Sequence, residues 1–234
     1  MAMNTFTFNG TSSADFGLLV NGLSTFGAPT RRVQKFVVPG RSGDIIIDDG
    51  TYDNYIARYE IAVIKDFKIN ARAIANWLLS AKGYLRLEDT YNTDSYRMAA
   101  CYTNIEYFVT SLIEAGSASI DFDCKPQRWL KSGENPLGRV DGDVLTNPSQ
   151  MPSKPFMRIY GTGVVTLGNY SFEILSNSSF VDIDCETMQI YRGTTLLGNT
   201  VTMNEFPQLE SGTTTIGLAS GITSFSITPR WWTL

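Results

Sequence analysis

Asn70-Ala71-Arg72-Ala73-Ile74-Ala75-Asn76-Trp77-Leu78-Leu79-Ser80-Ala81-Lys82-Gly83 is the stretch that stands out as a helix in a chain otherwise patterned as strands. Ile74, Trp77, Leu78 and Ala81 fall at i, i+3, i+4 and i+7, which makes one apolar stripe along a helix. Asn70 can accept a hydrogen bond from a first-turn amide, and Gly83 can take the left-handed conformation that closes a last turn. A helix of about three turns is too short to persist alone, so the stripe must pack on a sheet, with Trp77 in the core.

Strand signals surround it on both sides. Thr5-Phe6-Thr7-Phe8 alternates, which puts both phenylalanines on one face, and Ile120-Asp121-Phe122-Asp123-Cys124 alternates as a sheet with one wet face does. Gln34 to Val38 and Tyr59 to Ile64 are rich in β-branched and aromatic residues. Pro39-Gly40-Arg41-Ser42-Gly43-Asp44 reads as a loop, Ile45-Ile46-Ile47 as a short strand and Asp48-Asp49-Gly50 as a second turn. Together these predict an antiparallel hairpin reaching out from the sheet. Tyr84 to Leu87 and Met98 to Tyr102 continue the strand pattern after the helix.

Glycines and prolines interrupt the chain between Lys131 and Lys154, and apolar residues thin out there. The expected organisation is a first domain over 1–135, a linker over 136–154 and a second domain over 155–234. In the second domain short strands recur about every ten residues, which predicts a small antiparallel β-sandwich. The expected fold class is therefore mainly β, with one helix and a protruding hairpin in the first domain.

The composition excludes several functions. With 234 residues, 43% hydrophobic and 18% charged, the chain is an ordinary globular one. A net charge of -4 gives no general reason to bind nucleic acid, and the Arg31-Arg32 pair is not extended into a basic stripe. No apolar run approaches the roughly 18 residues of a membrane span, and MAMNTFTFNG lacks the features of a secretory signal, so folding in a cytoplasm is expected. Cys101, Cys124 and Cys185, far apart and without a paired spacing, read as buried thiols.

The absence of histidine removes imidazole-based catalysis and zinc sites that need it. Gly161-Thr162-Gly163 lies between strands with no helix to follow, so it reads as a tight hairpin turn and not as a cofactor loop. The best remaining candidates for chemistry are Asp182, Asp184 and Glu186, alternate residues of one strand that could converge on an ion or act as an acid/base pair. The neighbouring Phe180, Val181, Ile183 and Cys185 favour the plainer reading of a solvated strand face, as for Asp121 and Asp123. Catalytic, cofactor and metal residues are accordingly none, and no enzymatic activity is expected. Trp129 and the Trp231-Trp232 pair are tryptophans that sequence alone does not place. The terminal pair is expected to dock on the second sheet or on a neighbouring subunit.

Several segments resemble the distal tail protein (Dit) family of siphophages, a component of the tail and baseplate hub. They are Phe8 to Leu18, Val38 to Asp44 with Asp49 to Asn54, Ala71 to Leu78, Gly83 to Tyr91 and Cys124 to Arg128. Further along are Ile183 to Glu186, Glu205 to Leu209 and the ending Pro229-Arg230-Trp231-Trp232-Thr233-Leu234. Each is short, and it is their order across nearly the whole chain that carries the resemblance. It implies a structural virion protein at the tail tip: a homo-hexameric ring built by the first domain and its belt hairpin, with a galectin-like second domain projecting outward. The implied partners are the major tail tube protein on one side and the tail-associated lysin or fibre hub on the other. Receptor-binding or baseplate proteins would attach to the second domain, and DNA would only pass through the channel. The hairpin from Arg41 to Tyr55 has no obvious partner within its own domain, so Arg41, Asp44, Tyr52 and Tyr55 are the expected ring-interface residues. The competing reading is a carbohydrate-binding module on the host surface, which would need an exposed aromatic platform.

Overall fold

The computed structural model describes residues 4–21, 26–64, 66–109 and 115–234. The chain divides into two compact units that meet in sequence between Arg128 and Trp129. Both are built almost wholly from antiparallel strands.

The first unit contains β1 (Phe6–Phe8), β2 (Thr11–Ser12), β3 (Leu18–Asn21), β4 (Arg31–Phe36), β5 (Ile45–Tyr52) and β6 (Tyr55–Val63). After α1 (Phe67–Leu79) come β7 (Leu85–Asp89), β8 (Ser95–Ala100), β9 (Tyr107–Val109) and β10 (Gly116–Leu130). The main sheet runs in the order β2-β1-β7-β8-β10-β6-β3, with β9 on β10, while β4 and β5 pair only with each other. The alternation read in the sequence sets the faces: Phe6, Phe8, Tyr59, Ile120 and Phe122 point to one side and are fully buried. Ile74 and Leu78 of α1 close that side, and Trp77 stacks between Phe6 (5.6 Å) and Phe16 (4.8 Å) while its indole N–H donates to the Phe8 carbonyl.

The helix begins a turn earlier than its capping signals suggest. Asp66, in a left-handed conformation, precedes it without a side-chain cap, and Asn70 already lies in the second turn. Packing decides this, because Phe67 is buried with its ring on Gly116, where any Cβ would lie 2.5 Å from it. At the other end the helix stops at Leu79, and Gly83 (φ +75°) serves the following turn and not the helix cap.

The second unit holds β11 (Leu137–Arg139), β12 (Val144–Asn147), β13 (Phe156–Gly161), β14 (Gly163–Leu167), β15 (Tyr170–Ile174) and β16 (Phe180–Asp184). It continues with β17 (Gln189–Arg192), β18 (Thr195–Leu196), β19 (Val201–Met203), β20 (Gly212–Leu218), β21 (Ile222–Thr228) and β22 (Trp232–Thr233). Two sheets form, ordered β11-β21-β13-β16-β17-β18 and β12-β20-β14-β15-β19. Met157, Ile159, Ile183, Phe225 and Ile227 of the first and Val165, Leu167, Ile174 and Ile216 of the second belong to a single buried core.

Two expectations are corrected. The supposed linker 136–154 carries β11 and β12, which pair with β21 and β20, so its prolines and glycines punctuate short edge strands. Gly161-Thr162-Gly163 is not a hairpin turn, because β13 and β14 belong to different sheets. It is a corner where the chain changes sheets, held by the Thr162 amide on the Gly221 carbonyl (3.0 Å). Gly161 is required there: its φ is +92°, and a Cβ would stand 2.1 Å from that same carbonyl oxygen.

Candidate assembly surface

The β4–β5 arm is the part of the first unit that its own core does not use. Every residue of β4, and all of β5 except half-buried Tyr52, is exposed. Directly opposed residues share a face of a two-stranded ribbon. Phe36 opposite Ile45, and Ile47 opposite Gln34, make one face apolar; Ile46 opposite Lys35, and Val33 opposite Asp48, add apolar side chains to the other. Exposure reaches 59% at Ile46 and 54% at Ile47, and Val37 just beyond the strand is 80% exposed. A ribbon apolar on both faces cannot satisfy itself, because an isolated hairpin has no second layer.

The base of the arm is polar and ordered. Arg31 pairs with Asp48 (2.6 Å) and its guanidinium lies 6.0 Å from the Tyr52 ring; Arg32 pairs with Asp53 (2.5 Å). Asp48-Asp49-Gly50, expected as a turn, lies within β5 as a bulge: Asp49, Gly50 and Thr51 stand against Arg32 alone. Asp48 accepts from the Gly50 amide and Asp49 from the Thr51 amide and hydroxyl, so local side-chain bonds replace ladder bonds. The Thr51 hydroxyl and amide hold the Asp49 carboxyl below its usual range. An open groove of about 490 Å³ runs along this base, lined by Arg31, Arg32, Val33 and Ile47 among others.

Of the four expected interface residues, Arg41 and Asp44 lie exposed in the loop joining the two strands, and Tyr52 sits half-buried at the base. Tyr55 lies apart from them, as the first residue of β6, packed against the core with Arg128 over its ring. Val33, Phe36, Val37 and the isoleucines were not among the expected residues, although Ile45-Ile46-Ile47 stands in the sequence as three consecutive apolar residues. In a strand, consecutive residues point to opposite faces, and that alone signals a two-sided apolar ribbon.

The carboxylate strand has a different character from the one expected. Asp182 and Asp184 are not on a solvated face: they are 2% and 8% exposed. Arg158 grips Asp182 with two bonds (2.7 and 2.8 Å), and Arg230 grips Asp184 with two more (2.7 and 3.1 Å). Burial by itself would raise the Asp184 carboxyl, but Arg230 and the amides of Glu186 and Thr187 outweigh it and hold it below the usual range. Glu186 stays exposed near Lys154. Arginine forks thus fill the positions an ion would take, and among the described residues no set of three acidic, cysteine or histidine side chains converges as metal ligands. Asp121 is likewise held by Arg58, and Asp123 accepts from Tyr84 and Tyr102.

The three thiols are buried as expected, and burial pushes Cys101 up to about 11 and Cys124 and Cys185 up to about 12. Trp231 belongs to the second core, and Trp232 donates to the Pro152 carbonyl (2.9 Å), so the terminal pair docks within its own unit. Trp129 is half-buried.

This fold is shared with a phage hub protein. The chain aligns over its whole length, and over 100% of the other chain, with the crystal structure of the Dit protein of SPP1, at a TM-score of 0.72 and 12% identity. That protein is described as a paradigm of the hub adsorption apparatus in phages infecting Gram-positive bacteria. At this identity the likeness shows the fold. A chain of the phage P2 baseplate in its activated conformation matches at 11% identity over 97% of this chain and 98% of its own, with a TM-score of 0.49, too distant to argue from. No family model and no curated protein sequence matches the chain.

Proposed function

We propose that this chain is a distal tail protein, a non-enzymatic virion component whose copies close into a hexameric ring at the tip of a siphophage tail. The observation that carries the reading is the arm with apolar side chains on both faces, on a fold shared with a phage hub protein. Covering its six large apolar side chains is worth about 1 kcal/mol each, since each is roughly half exposed. One such contact barely offsets the cost of association, about 4–15 kcal/mol. A closed ring, in which every copy gives one arm and receives another, doubles the contacts per copy. The ring would join the major tail tube protein to the tail-associated lysin or fibre hub around the DNA channel, with baseplate or receptor-binding proteins on the second unit.

Light scattering on the purified full chain, with negative-stain imaging of the same sample, tests this. A six-copy mass and a ring with a central hole are expected. Ile46→Asp with Ile47→Asp should return the protein to a folded monomer, and Arg41→Glu should weaken the ring. A wild-type monomer at high concentration that also fails to close on isolated tails would overturn the proposal.

A further inference from the structure

β4 and β5 pair only with each other, so among the described residues no ladder ties the arm to the main sheet. Two bonds at its base join one leg to the other: the Asp53 amide donates to the Thr30 carbonyl (2.8 Å), and Arg32 pairs with Asp53 (2.5 Å). Bonds of this kind close the ribbon and leave it free to swing as a body. Its direction has to come from the sheet behind the base.

The ladder between β6 and β10 ends with Tyr55 opposite Cys124, and β10 runs on past it to Leu130. Inward positions alternate along β10, with Ile120, Phe122 and Cys124 buried, and the same register turns Arg128 inward, where it is 9% exposed. A guanidinium in that position is costly unless its donors are used. Arg128 donates to the Gly27 carbonyl (2.5 Å) and lies over the Tyr55 ring, 5.7 Å from its centre. Gly27 precedes the arm and Tyr55 follows it, so one side chain on β10 touches both legs. Asn54 adds a tie on the outgoing leg, donating to the Tyr84 hydroxyl (2.6 Å).

Resting on the ring reading above, we infer that Arg128 is the positioning residue of the arm. It fixes the arm's direction before a second copy arrives, and assembly depends on it although it is buried within its own unit. β5 has eight residues, about 27 Å of strand, so each 10° of play at the base moves the tip by roughly 5 Å. That is more than a close apolar contact tolerates. An arm ordered in advance also has less conformational freedom left to lose on association. Lysine cannot replace the arginine here. A planar guanidinium bonds a carbonyl and lies on a ring at once, whereas an ammonium is a point charge on a flexible stem.

Spin labels at Ser42→Cys in the arm loop and Arg72→Cys on α1 read the arm's direction within one copy, the native thiols being buried. The full chain carries Ile46→Asp and Ile47→Asp to keep copies apart, and is diluted into unlabelled protein. A single narrow distance is expected with Arg128, and a distribution at least about twice as broad in Arg128→Met and Arg128→Lys. Tyr55→Leu, which removes the ring alone, should broaden it as well, and Tyr55→Phe should not; this pair carries the test where the Arg128 variants fail to fold. With the arm's isoleucines restored, Arg128→Lys should raise the concentration at which rings form about tenfold. A distance as narrow in the folded Arg128 variants as with arginine overturns the inference, whether or not rings form. Broadening that leaves ring formation unchanged also overturns it, because direction would then not limit assembly. A wild-type chain that never forms rings removes the ring reading and the assembly role with it, while the distances still decide whether Arg128 holds the arm.

Discussion

Replacing Asp89 with alanine should unfold the first unit far more readily while leaving the second untouched. The Asp89 side chain is 1% exposed and is the hub of a buried polar network: it accepts from the Tyr59 hydroxyl (2.6 Å), Arg97 (3.1 Å), and the Tyr91 and Asn92 amides (3.0 and 2.7 Å). Arg97 is itself only 3% exposed, so removing the carboxylate strands a buried charge, at a cost of about 3–5 kcal/mol. Hydrogen exchange followed by mass spectrometry reads this unit by unit. Globally protected amides of β7, β8 and β10 should exchange about a hundredfold to several thousandfold faster, with β13 and β16 unchanged. Asp89→Ala with Arg97→Met should recover most of the loss, since the stranded charge is gone. The pH dependence has a definite sign. Burial would raise the Asp89 carboxyl, but hydrogen bonds from Tyr59 and Asn92 and the charge of Arg97 outweigh it and hold it below its usual value. A depressed native pKa gives stability that is complete above the unfolded value of about 3.9 and is lost as pH falls through the native one. A change of less than tenfold in exchange at neutral pH, or a double variant as unstable as the two single costs added, would refute the reasoning.

Two further outcomes follow from the structure. Gly161→Ala should cost at least about 3 kcal/mol, because it places a Cβ against the Gly221 carbonyl at a positive φ; a melting temperature of the second unit within about 2 °C of wild type would show that this corner is not tight. A thiol reagent such as dithiobis-nitrobenzoate should leave the native protein unmodified and titrate all three cysteines once it is denatured; rapid reaction of any native thiol would contradict the burial described.

Much of the fold could be read from the residues. Period-two alternation at Phe6–Phe8 and Ile120–Cys124 names the inward faces correctly, and the Ile74–Trp77–Leu78 stripe finds the helix packed on the main sheet. What failed were inferences from local punctuation. Asn70 has the chemistry of a cap, but Phe67 gains more by burial beside Gly116 than a capped end would offer. Gly161 and Gly163 look like a hairpin because glycine permits several tight geometries, and only the partner strands separate a hairpin from a corner between sheets. Asp182 and Asp184 alternate as wet-face residues do. Their arginines, Arg158 and Arg230, lie 24 and 46 residues away in sequence, so no local pattern announces the pairing. The arm is legible as a hairpin in its turn residues, while the exposure of Val33, Phe36, Val37 and the three isoleucines follows from its having no second layer, which no local pattern states.

The separation between the residues that fold the chain and those proposed to assemble it has a physical basis. Each unit closes its own core, with Phe6, Tyr59 and Phe122 in one and Met157, Ile183 and Phe225 in the other, and neither core draws on the arm. The arm's own side chains, from Val33 to Ile47, form no part of either core, and its ordered base depends on exposed ion pairs and Asx-type bonds, which contribute little to stability. On the proposed ring, substitutions at Ile46 and Ile47 should therefore act on contacts between copies and leave the fold intact. The buried Asp89–Arg97 pair has the opposite character, since its loss acts on the fold of the first unit before any contact between copies can form. A variant at Ile46 and Ile47 that lost secondary structure along with its ring would show that the arm is part of the folding unit, and the division drawn between core and contact would fail at that point.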